Sequence, residues 1–110
     1  MVQIVQNLKI FNTLNSQKEE FTPLDSDHIK LYACGPTVYN YAHIGNARMA
    51  VVFDTIVRTL RVLYPKVTYV SNITDIDDKI IDAAKEAGVE ISAITEKYTQ
   101  IYNEDMSRLN

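Results

Sequence analysis

Ile29-Lys30-Leu31-Tyr32-Ala33-Cys34-Gly35-Pro36 is the stretch on which the fold turns. It alternates and then becomes apolar, as a buried strand does, and it stops abruptly at Gly-Pro, a turn marker. Beyond the turn, Met49, Phe53, Ile56, Leu60 and Leu63 recur at steps of three and four, which places them on one face of a helix. Asp54 and Arg58 are spaced to pair on another face, and Pro65 ends the run. Residues 67–70 (VTYV) then read as a short β-branched strand. Strand, long helix, strand is a βαβ unit, with two parallel strands and a right-handed crossover. The fold class is therefore α/β.

On the N-terminal side, residues 8–13 (LKIFNT) and 19–22 (EEFT) lean towards β-structure and flank the polar run 14–18. They predict a hairpin, although the loop has no Asn-Gly or Asp-Gly signal. On the C-terminal side, residues 75–87 predict a second helix, with acidic residues crowding its first turn, Lys85 in its last and Gly88 just beyond. Ser92 is the candidate cap of a third helix, with Ile94, Tyr98, Ile101 and Leu109 along one side. This divides the chain into a hairpin lead-in (1–28), a βαβ unit with its following helix (29–87) and the start of a further helix (92–110). Two strands do not close a core, and the last helix has no cap before the final residue, so the expectation is the N-terminal part of a longer domain.

At 110 residues the chain forms one domain at most. Eleven basic against fourteen acidic side chains leave a net charge of −3, which gives no sign of a general nucleic-acid footprint. Any RNA would be held mostly by surfaces elsewhere. The single cysteine rules out an internal disulfide and suits a reducing compartment. The start, MVQIVQNLKIFN, has neither a basic leader nor a long apolar run, so it is not a signal peptide. No stretch approaches the roughly 18 apolar residues of a membrane span. A cytoplasmic protein is expected.

In open α/β sheets, ligands bind at the carboxyl ends of the strands. Two unusual clusters fall there: residues 32–48 (YACGPTVYNYAHIGNAR) and 72–80 (NITDIDDKI). His43-Ile44-Gly45-Asn46 opens the long helix, whose N-terminus offers unpaired N–H groups and partial positive charge to a phosphate. His43 can add a donor to a pentavalent phosphorus, Gly45 lets a nucleotide ring approach the backbone, and Asn46 offers an amide. The structural alternative is a helix-start histidine satisfied by nearby carbonyls. Cys34 alone is equally well a small hydrophobe buried at a strand end. Asp75, Asp77 and Asp78 suit a helix dipole better than a magnesium site. Arg48, Arg58 and Arg61 read as a solvated face, and the seven tyrosines as core and rim.

The first cluster resembles the stretch of cysteinyl-tRNA synthetases in which a Cys-Gly-Pro-Thr turn precedes the class I synthetase HIGH signature. The second cluster resembles that family's next characteristic block, and residues 8–13 and 18–21 are similar as well. The resemblance implies the first part of a Rossmann-like, nucleotide-binding catalytic domain. It implies an activity that joins cysteine to ATP as cysteinyl-adenylate and passes it to tRNA(Cys), in a full-length protein that acts as a monomer. Cys34 would be one of four zinc ligands, the other three coming from later in the chain, and magnesium would accompany ATP. Thr37, His43, Gly45 and Asn46 would serve ATP, with His43 and Asn46 catalytic. Gly35 and Thr74 would serve the cysteine substrate. The family's signature commonly ends in a second histidine, where this chain has Asn46. Two alternatives share the cluster: a cysteine ligase that uses an amino sugar as acceptor, and a non-catalytic binding module. Alone, the chain is expected to be inactive.

Overall fold

The computed structural model describes residues 7–109, so residues 1–6, expected in the hairpin lead-in, and residue 110, expected in the last helix, lie outside the described residues. Strands β1 (Lys9–Asn12) and β2 (Gln17–Glu20) form an antiparallel hairpin in which Asn12 faces Gln17. The second strand begins earlier than the sequence predicted, because the chain reverses within residues 13–16. Ser16 takes the left-handed region there, with φ 51°, doing the work expected of a glycine. The Glu19 carboxylate gathers the turn by accepting from the side-chain amides of Asn12, Asn15 and Gln17. These bonds, that from Gln17 foremost, hold its pKa below the usual carboxylate value.

Strand β3 (Ile29–Ala33) pairs in parallel with β4 (Val67–Ser71), Ile29 opposite Val67 and Ala33 opposite Ser71. Helix α1 (Ile44–Leu63) makes the crossover between them. Its expected face packs inward: Leu60 is buried and Met49, Phe53, Ile56 and Leu63 half-buried, with Val57 buried among them. Phe53 stacks on Tyr69 of β4 at 6.3 Å between ring centroids. Tyr64 ends α1 in extended geometry, as the pre-proline position requires. Phe21, just after the hairpin, meets Tyr64 edge-on at 6.0 Å and ties the hairpin to this corner.

Helix α2 (Asp78–Ala87) starts three residues later than expected. Thr74 is drawn into a β-bridge with Thr37, and Asp77, extended at φ −166°, is the cap. Of the three aspartates, only Asp78 lies in the first turn. Gly88 ends the helix at φ 68°, a left-handed geometry in which it needs no side chain. Helix α3 (Ile91–Ser107) begins at Ile91, not after a Ser92 cap: Glu90 is the extended flanking residue, and it makes no side-chain cap bond. The expected face of α3 also loses Leu109, because the helix ends at Ser107 and the chain tightens there. The Arg108 and Leu109 N–H groups reach back three residues, to the Asp105 and Met106 carbonyls.

The core lies in two places. Ile29, Ala33, Val57 and Leu60 are buried at the sheet and α1, while Ile80, Ala84 and Ile94 form a cluster between α2 and α3. A radius of gyration of 17.8 Å exceeds the ~13 Å of a compact domain this long. One face of the parallel pair accordingly stays open, with Tyr32 and Val70 exposed, whereas parallel sheets are usually covered on both faces. No helix among the described residues is long and apolar enough to cross a membrane.

Candidate active site at the strand ends

Past the strands, the two chemical clusters remain joined. The Gly35 N–H donates to Asn72 Oδ1 at 2.6 Å. The Thr74 N–H donates to the Pro36 carbonyl at 2.9 Å, and the Val38 N–H to the Thr74 carbonyl at 3.1 Å. A Cβ on residue 35 would fall 1.7 Å from the Asn72 carbonyl oxygen, so only glycine lets the two loops approach this closely. Gly35 and Thr74, expected on the amino-acid side, are thus brought together, with Cys34 immediately before them.

Cys34 is exposed, which removes the reading as a buried hydrophobe. Its thiol is accessible to a metal or a substrate. One thiolate fills one position of a tetrahedral zinc site, and no three His, Cys, Asp or Glu side chains gather to hold a metal among the described residues.

His43 is the N-cap of α1. Its ring Nδ1 accepts from the Gly45 N–H at 2.9 Å, while Asn46 Oδ1 accepts from the His43 N–H at 3.1 Å. The imidazole is therefore engaged by a helix N–H, where the structural alternative had it satisfied by nearby carbonyls. With Nδ1 accepting, the neutral ring carries its proton on Nε2, which becomes a donor. Asn46 spends its oxygen on the cap and keeps its Nδ2 donors. A Cβ on residue 45 would come within 2.6 Å of His43 Cε1. The space beside Gly45 thus seats the imidazole, a local requirement that the expectation of a nucleotide ring there did not include.

Thr37, His43 and Asn46 line one cleft of about 250 Å³, together with Tyr39, Lys79 and Tyr102 among others. Gly45 does not line it, nor do Cys34, Gly35 or Thr74; the Thr37–Thr74 bridge joins the two groups. Among the described residues no carboxylate lines the cleft, although acidic residues outnumber basic ones in the chain. The Lys79 ammonium lies 5.4 Å from the centroid of the Tyr39 ring. Burial, and secondarily Tyr69, push the Tyr102 phenol pKa up, so its hydroxyl keeps its proton.

Sequence reading missed Lys79 and the tyrosines as site components. Tyr39 packs against the α2–α3 cluster, Tyr41 meets Tyr98 edge-on at 5.3 Å, and Tyr102 closes in from α3. Tyr39, Tyr41, Tyr98 and Tyr102 gather here, half-buried except for the exposed Tyr41, a grouping that the reading as core and rim did not include. The available signal was a lysine in the first turn of α2, where the helix dipole disfavours a cation. Of the aspartates expected to complement the α2 dipole, Asp75 lies before the helix and Asp77 is its cap. Asp77 Oδ1 accepts from the Lys79 N–H at 2.9 Å, and Asp78 follows it. Arg58 pairs with Asp54 at 2.7 Å on an exposed face, an arrangement worth little to stability, and Arg48 and Arg61 are exposed.

Residues 20–110 match the family model described as the class I (C) tRNA synthetase catalytic domain. The chain is 64% identical over 102 residues to a cysteine–tRNA ligase of Parvibaculum lavamentivorans, covering 93% of this chain and 22% of that protein. It is 58% identical over 103 residues to the cysteine–tRNA ligase of a Wolbachia from Culex pipiens, covering 94% and 22%. With the cysteine–tRNA ligase of Saccharophagus degradans it shares 56% over 104 residues, 94% and 23%. The chain therefore spans less than a quarter of the length of these curated relatives. A helix capped by histidine at the end of a parallel strand, beside a second loop locked to the first, lies wholly within the matched segment, and the chain belongs to the class I (C) tRNA synthetase catalytic-domain family.

Proposed function

We propose that this chain supplies the first part of the active site of a cysteine–tRNA ligase, which activates cysteine with ATP and transfers it to tRNA(Cys). One observation carries the nucleotide half of this function. His43 Nδ1 accepts from the Gly45 N–H, which leaves Nε2 as the ring's donor, in a cleft that it shares with Asn46 and that no carboxylate among the described residues lines. The acceptor and the amino acid rest on the relatives, which are named cysteine–tRNA ligases.

In the first step, a carboxylate oxygen of cysteine attacks the α-phosphorus of ATP. The bond to the bridging oxygen breaks, and pyrophosphate leaves with the electron pair. Negative charge builds on the non-bridging oxygens at the pentavalent phosphorus, where His43 Nε2–H and the Asn46 amide donate. Because the cap already fixes both side chains, little reorganisation is needed as that charge develops. Thr37 borders the same cleft on the nucleotide side, and magnesium accompanies ATP. In the second step, the 3′-terminal ribose hydroxyl of the tRNA attacks the activated carbonyl carbon, and AMP departs.

Gly35 and Thr74 serve the amino-acid side, where the exposed Cys34 thiolate offers one ligand to a zinc ion completed from outside this chain. Such an ion, when bound, accepts the soft thiolate of cysteine far better than the hydroxyl of serine. The protein works as a cytoplasmic monomer, and this chain alone is inactive.

Cysteine-dependent pyrophosphate exchange by the full-length protein tests the function. Cys34→Ser is expected to abolish exchange while leaving ATP affinity nearly unchanged, because a hydroxyl is a poor zinc ligand at neutral pH. Near-normal exchange by that variant would reduce Cys34 to a structural residue. Exchange without charging of tRNA would point instead to an amino-sugar acceptor.

A further inference from the structure

We propose that Lys79 is a ligand of the nucleotide's polyphosphate, a role that rests on the ATP-dependent function above. Lys79 lines the cleft that contains His43 and Asn46, and among the described residues it is the only Lys or Arg there. Its position is not explained by its helix: it stands in the first turn of α2, where the positive end of the dipole repels an ammonium. Nor is it explained by pairing. Its ammonium forms no ion pair among the described residues, even though Asp75, Asp77, Asp78 and Asp82 are its neighbours in sequence.

What engages the side chain is Tyr39, whose ring centroid lies 5.4 Å from Nζ. A contact of this kind orients a cation without neutralising it. Tyr39 is itself packed against the buried cluster of Ile80, Ala84 and Ile94, so the platform is anchored. Meanwhile Asp77, the nearest cap carboxylate, accepts from the Lys79 backbone N–H at 2.9 Å and is occupied there. The cleft therefore presents a lysine charge, the Nε2–H of His43 and the amide of Asn46, with no carboxylate to compete. That combination fits a polyanion, and a compact ammonium suits phosphate oxygens whose direction changes as pyrophosphate departs.

In the full-length protein, Lys79→Met keeps much of the apolar stem over Tyr39 and removes the charge, and Lys79→Arg restores a charge. Pyrophosphate exchange would be measured against ATP and against cysteine, with magnesium-ATP binding followed directly by equilibrium dialysis. Lys79→Met should raise the KM for ATP, and weaken ATP binding, by at least about tenfold. The KM for cysteine and the thermal midpoint should hold, and Lys79→Arg should recover part of the ATP affinity. Unchanged ATP affinity in Lys79→Met would overturn the proposal while leaving the ligase function intact. A loss confined to tRNA charging, with exchange unaffected, would also overturn it. If the wild type shows no cysteine-dependent exchange, yet its ATP binding still depends on the Lys79 charge, the ligase function fails and the phosphate contact stands.

Discussion

Helices α1 and α2 start in the same way, with an extended residue whose side chain accepts an N–H two positions on, yet the two caps are chemically different. At α2 the cap is Asp77, one of the preferred types, and its carboxylate accepts from the Lys79 N–H at 2.9 Å. At α1 it is His43, which is not a preferred type, and it requires the bare Gly45 beside it to seat the ring. A carboxylate at this position can only accept. An imidazole divides the work, one nitrogen closing the helix and the other remaining a donor. The α1 start thus gives up the better cap for a second ring nitrogen left free to donate, and the proposed chemistry would use that difference.

The sharpest way to break the comparison is His43→Ala in the full-length protein. Adenylate formation in single turnover should slow by roughly 10²–10³-fold, the usual cost of losing one transition-state donor. ATP affinity should change much less, because the contact is worth most as charge develops. Weakened ATP binding with an unchanged chemical step would make His43 a ground-state contact instead.

Gly45→Ala tests the seat of the ring. Alanine favours a helix by up to about 1 kcal/mol over glycine, but its Cβ would crowd His43 Cε1 at 2.6 Å. The expected outcome is a displaced imidazole, adenylate formation slower by about tenfold, and a thermal midpoint that does not fall. A full-speed enzyme would show that the ring position is not critical.

Asp77→Ala should do the reverse. Losing an ordinary cap costs about 1 kcal/mol, read as a lower denaturant midpoint, while the rate of adenylate formation moves far less than with His43→Ala. The smallest effect is expected from Asn46→His. A neutral imidazole can accept the His43 N–H on one nitrogen and donate on the other, so stability should hold within about 0.5 kcal/mol and the rate within a few-fold. A large loss there would mean that the amide geometry of Asn46 is itself required.

Much of this architecture was legible in the sequence because it depends on local signals. The alternation of residues 29–34, the three-and-four spacing from Met49 to Leu63, Pro65 and Gly88 each act within a few residues of themselves, and each appears where it was read. His43, Gly45 and Asn46 were legible as a helix start for the same reason. The late start of α2 was not, because Thr74, just before the expected start, is bridged to Thr37, far away in sequence, and the chain stays out of the helix until Asp78. The tyrosine cluster was hidden in the same way, since Tyr39, Tyr41, Tyr98 and Tyr102 come from one loop and one distant helix. The role of Gly45 as a seat for His43 was invisible for a subtler reason. Spacing announces that a glycine is small, but not which neighbour uses the room.

The join between the two loops also bears on how such a chain can drift. Ala33 pairs with Ser71 and Thr37 with Thr74, so Cys34, Gly35 and Pro36 on one side span the same gap as Asn72 and Ile73 on the other. Most surface connections absorb insertions and deletions freely, because their length is not matched to anything. Here three residues are matched against two, with a glycine at the point of closest approach. Removing one residue from the longer side would shift either Cys34 or Thr37 out of register, and adding one to the shorter side would push Thr74 off its bridge. Substitutions can accumulate around this join, but its length can change only if both loops change together.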